Sequence, residues 1–247
     1  MKQWKWLILL TMISCNNDHY LKEYYPNGQL KVRIQLNDAE IADGLYEEFY
    51  ETGEIKMSST YSNGQLRDTV IEFFKNGKIK SKGLLKADLK FGWWSSYDTR
   101  GHIRNKSEYL IVNDSNYKNQ SINFTEGGDT VYSTSSYFKL KVPDTLFLGK
   151  NVGRIKYNSN FKKADLQFIH IIIDNQITEG IIQRDTFNEE PGETRFGIYA
   201  HKVGEKVVEG VILETVLEKR LLKGDSAELK TKHHKKLFKK KVFVINN

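Results

Sequence analysis

Four copies of one octapeptide constrain what this chain can fold into more than any other feature. YYPNGQLK (24–31) returns as FYETGEIK (49–56) and FFKNGKIK (73–80), then in worn form as YDTRGHIR (97–104). The glycines Gly28, Gly53, Gly77 and Gly101 are spaced 25, 24 and 24 residues apart. Around them run columns: a pair of aromatics before the turn (Tyr24-Tyr25, Phe49-Tyr50, Phe73-Phe74, then Tyr97-Asp98), an aliphatic after it (Leu30, Ile55, Ile79, Ile103), and a base after that (Lys31, Lys56, Lys80, Arg104). A constant period of this length marks a repeat architecture. Asn-Gly between strand-like runs predicts a two-residue type I′ hairpin, which would set Tyr25 opposite Leu30, Tyr50 opposite Ile55 and Phe74 opposite Ile79. A second turn signal falls midway, clearest in SNGQ (62–65) and also in NDAEIADG (37–44) and KADLKFG (86–92). Each unit therefore reads as two strands and two turns, and the array as an antiparallel meander whose units must stack to be stable.

The stretch YYPNGQLK…DGLYEEFYETGEIK…FFKNGKIK…FGWWSSYDTRGHI resembles the repeats of the YwqK-type antitoxin family, relatives of MORN repeats. Asp43-Gly44-Leu45-Tyr46 and Gly92-Trp93-Trp94 match the family's Asp-Gly-aromatic segment, whereas Asp68-Thr69 has lost its glycine. The resemblance covers about residues 20–105. It implies a repeat β-meander and a binding or immunity role, not catalysis.

Beyond residue 106 the period stops. TVYSTSSYFKLKV, GRIKY, LQFIHIII, TRFGIYAHKV, KVVEGVILETVLE and KKKVFVIN are short runs rich in β-branched and aromatic residues, separated by loops such as TEGGD, FNEEPGE and VGEK. Several short strands with regular turn signals predict an Ig-like β-sandwich over 107–247. The segment ETVLEKRLLKGDSAELKTKHHKK is read as a strand followed by a loop. The fold class expected is all-β, a meander of hairpin repeats over 20–106 followed by the sandwich.

The N-terminus, MKQWKWLILLTMISCNND, places two lysines ahead of a short apolar run and then Ser14-Cys15. The run is too short for a spanning helix and fits a secretory leader. A small residue before the chain's one cysteine resembles the bacterial lipobox, so residues 1–15 are read as a lipoprotein signal ending at a lipidated Cys15, and 16–19 as a tether. Met12 stands where leucine is usual. The expected location is the cell envelope, with the protein held to a membrane outside the cytoplasm. The formal charge of +7 falls to +5 without Lys2 and Lys5, too little to argue for nucleic acid.

No catalytic constellation emerges, and the chain is not expected to be an enzyme or to carry a cofactor or metal. His170 and Asp174 share a strand face about 13 Å apart at roughly 3.3 Å per residue, too far for a dyad. His233-His234 sit among lysines that oppose a cation. The lysines from Lys230 to Lys241 read as a solubilising loop and edge strand. The columns read first as packing face and solvated ladder end. The competing reading makes Lys31, Lys56, Lys80 and Arg104 a positive stripe and Trp93 and Trp94 a contact. Strand alternation points those two rings to opposite faces, so in a single-layered sheet at least one of them is exposed. The expected function is a membrane-anchored, non-catalytic binding or scaffold module with a protein partner. The alternatives are neutralisation of a toxin, or contact with lipid or cell-wall glycan.

Overall fold

The hairpin turns set everything downstream of them. In the computed structural model, which describes residues 19–66, 69–161, 166–190, 192–221 and 227–246, the Tyr25 amide donates to the Gln29 carbonyl (2.8 Å) and the Gly28 amide to the Tyr25 carbonyl (2.9 Å). The same pair of bonds closes 50–54 and 98–102, and the Gly77 amide bonds the Phe74 carbonyl. Only the glycine is left-handed, with φ of 85, 97, 78 and 92° at Gly28, Gly53, Gly77 and Gly101. This is a three-residue loop, a type I turn followed by a left-handed glycine, and not the type I′ turn expected. The difference shifts the pairing by one residue: the first aromatic, not the second, faces the aliphatic, as Tyr24–Leu30, Phe49–Ile55 and Tyr97–Ile103. In the first octet the physical reason lies in Pro26 and Asn27. Proline holds a negative φ at the first turn position, and the Asn27 side chain accepts the Gln29 amide at 3.0 Å. Pairs of consecutive positive-φ residues, the mark of type I′ turns, occur at the opposite ends of the hairpins: Asn63-Gly64, Ala87-Asp88 and Asn113-Asp114.

Two compact units meet at the Gly77–Lys78 bond. In the first, β1 (Tyr20–Tyr24), β2 (Leu30–Leu36), β3 (Ala42–Phe49), β4 (Ile55–Ser62) and β6 (Thr69–Phe73) follow one another as neighbours, and β5 (Gln65–Leu66) pairs with β4. The His19 carbonyl already accepts the Leu36 amide (2.8 Å), so that end of the expected tether belongs to the sheet. Cys15 and the leader lie outside the described residues. Val70 is the one hydrophobic side chain fully buried in this unit among the described residues, so cross-strand pairs and hydrogen bonds hold the sheet rather than a core. The second aromatic of the first two octets supplies such a bond. The Tyr25 hydroxyl donates to the Phe49 carbonyl and the Tyr50 hydroxyl to the Phe73 carbonyl, both at 2.7 Å. Each thus ties one repeat to the first aromatic of the next.

The second unit continues the pattern with β7 (Ile79–Lys86), β8 (Leu89–Tyr97), β9 (Ile103–Val112) and β10 (Ser115–Asn123). The expected boundary at 106 falls inside β9. In the fourth octet Asp98 replaces the tyrosine and caps its own turn, accepting the Arg100 and His102 amides at 3.0 Å. A fifth copy of the loop spans Thr125–Asp129, with Gly128 at φ 90°.

The sandwich follows. One sheet orders β11 (Tyr137–Lys141), β13 (Gly149–Asn158) and β16 (Thr194–Ala200). The other orders β12 (Thr145–Phe147), β18 (Ala227–Ile245), β17 (Gly204–Leu221), β14 (Leu166–Thr178) and β15 (Ile181–Asn188), with β12 parallel to β18. In chain order these are the A-B-E and A′-G-F-C-C′ sheets of an Ig-like sandwich. Ile155, Phe196 and Ile198 from one sheet and Ile171, Ile212, Phe238 and Val244 from the other share one core. Phe196 and Phe238 lie across from Gly153 and Gly210. A Cβ at either glycine would come within 2.3–2.5 Å of the facing ring, so the absence of a side chain is what seats the aromatic. The lysine-rich stretch, expected to be part loop and part edge strand, is strand throughout, within β18. It is drawn into register by eighteen pairings with β17, and its charges find partners in Lys232–Glu218 (2.8 Å), Lys239–Glu209 (2.9 Å) and Lys240–Asp144 (2.9 Å).

Tyr25→Phe and Tyr50→Phe should each destabilise the chain by about 1 kcal/mol through an unsatisfied carbonyl. The effects should add, lowering the urea midpoint without changing the m-value.

Candidate binding face

Strand β8 separates the two tryptophans. Trp94 is 3% exposed and Trp93 45%. The Trp94 indole donates to the Leu84 carbonyl (2.9 Å) and lies under the Lys90 ammonium, 4.3 Å from the ring centroid. Its ring rests on Gly83, where a Cβ would come within 2.4 Å. Trp94 is therefore a packing residue. Trp93 stands on the opposite face, level with Glu108 on β9. Phe91 shares its parity on β8 and pairs with Leu84 on β7. Leu84 and Phe91 are 42% and 40% exposed, so with Trp93 they form an exposed apolar stripe across two strands.

At the Phe91 end the stripe runs into a groove of about 1270 Å³. Leu89, Phe91 and Leu110 line one wall, and Val211, Leu213 and Leu237 on the outer face of the sandwich line the other. A bulge holds the walls together. Between Lys118 and Gln120 the β10–β9 register slips, which turns the Asn119 side chain onto β18. There its amide nitrogen donates to the Leu237 carbonyl and its oxygen accepts the Leu237 amide, both at 2.8 Å. Glu108 is occupied by the Asn119 and Gln120 amides (2.7 Å each).

The basic column has a backbone cause. Lys31, Lys56 and Arg104 are the extra residues at the register shifts that follow each three-residue turn. Lys31 pairs with Glu23 (3.6 Å) and Lys56 with Glu48 (2.5 Å). The Glu48 hydrogen bond raises the Lys56 pKa above the usual lysine value. Those glutamates belong to an acidic column, Glu23, Glu48 and Glu72, that precedes each aromatic pair and gives way to Ser96 in the fourth copy. The pattern was present in the sequence, but its partner lies eight residues away across the turn. Lys80 and Arg104 are exposed and form no ion pair among the described residues. The structure therefore does not join Lys31, Lys56, Lys80 and Arg104 into one unpaired stripe.

His170 and His233 are likewise engaged. His170 meets Asn188 (3.0 Å), Asp174 holds Arg184 through two bonds of 2.7 and 2.9 Å, and His233 meets Thr215 (3.1 Å). No group of three metal-ligating side chains occurs among the described residues.

A family model of the MORN repeat variant matches residues 20–38 and 42–67, the first two units of the array. No curated protein and no solved structure shows significant similarity to the chain. The repeats are thus MORN-like over a part of the chain well short of half.

Gly83→Ala should push the Trp94 ring from its seat at a cost of about 2 kcal/mol. A lower melting temperature with weakened near-ultraviolet circular dichroism would report it.

Proposed function

We propose that the chain is a non-catalytic binding module of the cell envelope. Acyl chains on Cys15 hold it to a membrane, and a protein partner seats along Leu84, Phe91 and Trp93 and into the adjoining groove. The observation that carries this reading is the stripe itself: three large apolar side chains exposed side by side and continuous with an apolar groove. Such patches on a folded surface mark interaction sites, and a central tryptophan is a frequent energetic anchor. MORN-like repeats are commonly binding or scaffold modules, which supports the non-catalytic part. In the immunity version of this reading the partner is a toxin. The version with lipid or glycan on the basic column has less support, because Lys31 and Lys56 are already paired with glutamates.

Affinity capture from detergent-solubilised envelopes should recover one stoichiometric protein with the full chain. The doubly substituted Phe91→Ala/Trp93→Ala chain should lose it while keeping its melting temperature. Recovery that is equal for both chains would contradict the assigned face. Independently, Cys15→Ser should move the protein from the membrane fraction to the soluble one, and continued pelleting would contradict the anchor.

A further inference from the structure

The second unit holds another recess, a polar cleft of about 660 Å³ between β10, the segment at Asn160-Phe161 and β18. Its described lining includes Lys118, Lys235, Lys236, His233 and His234 and no carboxylate. Lys236 is 8% exposed. Its ammonium donates to one neutral group, the Asn119 carbonyl, at 2.8 Å, and forms no ion pair among the described residues. The carboxylates nearest in effect are committed elsewhere. Glu214 accepts from the Tyr157 hydroxyl, the Ser159 hydroxyl and the Gln167 amide, and Glu108 is taken by Asn119 and Gln120. On the same wall His234 is held by stacking on Phe161, with centroids 4.3 Å apart, and its Nε2 is buried without a hydrogen-bond partner among the described residues.

A buried ammonium with a single neutral partner is costly to a fold. Residues that cost stability without serving packing are commonly kept for function. We propose that this cleft binds a small hydroxylated oxyanion, such as a uronic acid or a sugar phosphate, with Lys236 and Lys118 meeting the anionic group. Charge-assisted hydrogen bonds to the ammonium supply the binding. The rest of the wall suits hydroxyl groups: Asn160 offers an amide and Tyr109 and Tyr117 offer rings, while Asn105 and Ser107 are bonded to each other and to Ser121 and form the floor. The inference does not depend on the apolar stripe, since the two surfaces share neither Trp93 nor Phe91.

The pH dependence has a definite sign. Burial lowers the Lys236 pKa to about 8, opposed by the fields of Glu214 and Glu108 and reinforced by Lys118. The groups facing it are Glu214 on β17, Glu108 on β9, Lys118 on β10, and His234 and Lys235 on β18. Below that value Lys236 is charged and anion affinity is full; as pH rises through it, the charge and the affinity are lost together.

The test is calorimetric titration of the full chain carrying Cys15→Ser with glucuronate, glucose 6-phosphate and glucose. At least one anion should bind, and glucose at least about tenfold more weakly. Saturation by one anion and not the other would tell a carboxylate ligand from a phosphate one. Lys236→Met should weaken anion binding about tenfold or more, and Lys118→Gln, at an exposed position, a few-fold. Raising the pH from about 7 to about 9 should weaken binding to the unsubstituted cleft and leave any residual binding by Lys236→Met unchanged. Absence of binding by either anion, equal binding of glucose, or an affinity indifferent to both Lys118→Gln and pH would overturn the proposal. The last two readings stand even where Lys236→Met does not fold.

Discussion

One backbone event organises the repeat array: a left-handed glycine closing a three-residue turn, followed by one extra residue on the returning strand. The glycine fixes the turn, because the position it occupies strains any side chain with a Cβ. The extra residue fixes the register, because slipping a strand by one exchanges its two faces. The aromatic–aliphatic pairs Tyr24–Leu30, Phe49–Ile55 and Tyr97–Ile103 follow from it. So does the basic column, which occupies the bulge and can reach back to an acid before the aromatics. The tyrosine hydroxyls then carry the period from one repeat to the next in a unit that has almost no buried core.

The sandwich is stabilised differently. Its two sheets enclose a continuous apolar core in which aromatic rings lie over glycines on the neighbouring strand. Burial per residue is far greater here than in the first unit. Within the second unit the two styles are joined by the bulge at Asn119, whose side chain reproduces with Leu237 the paired bonds of a strand. The apolar groove and the polar cleft both form at this junction. Strand β10 delivers Gln120 to the first and Lys118 to the second.

Much of this was legible in the residues. The period, the all-β class, the meander and the sandwich follow from glycine spacing, paired aromatics and β-branched runs. The split between Trp93 and Trp94 follows from alternation, and Gly83 decides which ring is buried. What was not legible has local causes. Asn-Gly favours a type I′ turn in isolation, but in the first octet Pro26 and the Asn27 side chain select the longer loop, and pairing moved by one residue. The fifth turn at Thr125–Asp129 departs from the spacing of the others and keeps only the first aromatic, Phe124, with Thr125 in place of the second. The first part of the lysine stretch looked like a loop because its partners, such as Glu218, lie back along the chain on β17. The Lys236–Asn119 contact joins residues 117 positions apart, which no period could reveal.

The account makes the face of β7 and β8, and not the repeat columns as such, the contact surface. A photo-crosslinking residue placed at position 93 in the living cell tests this most directly, against the same residue at position 139 on the exposed side of β11. The account predicts one discrete adduct with a single envelope protein from position 93 and none from 139. Adducts from both positions alike, or from neither, would contradict it.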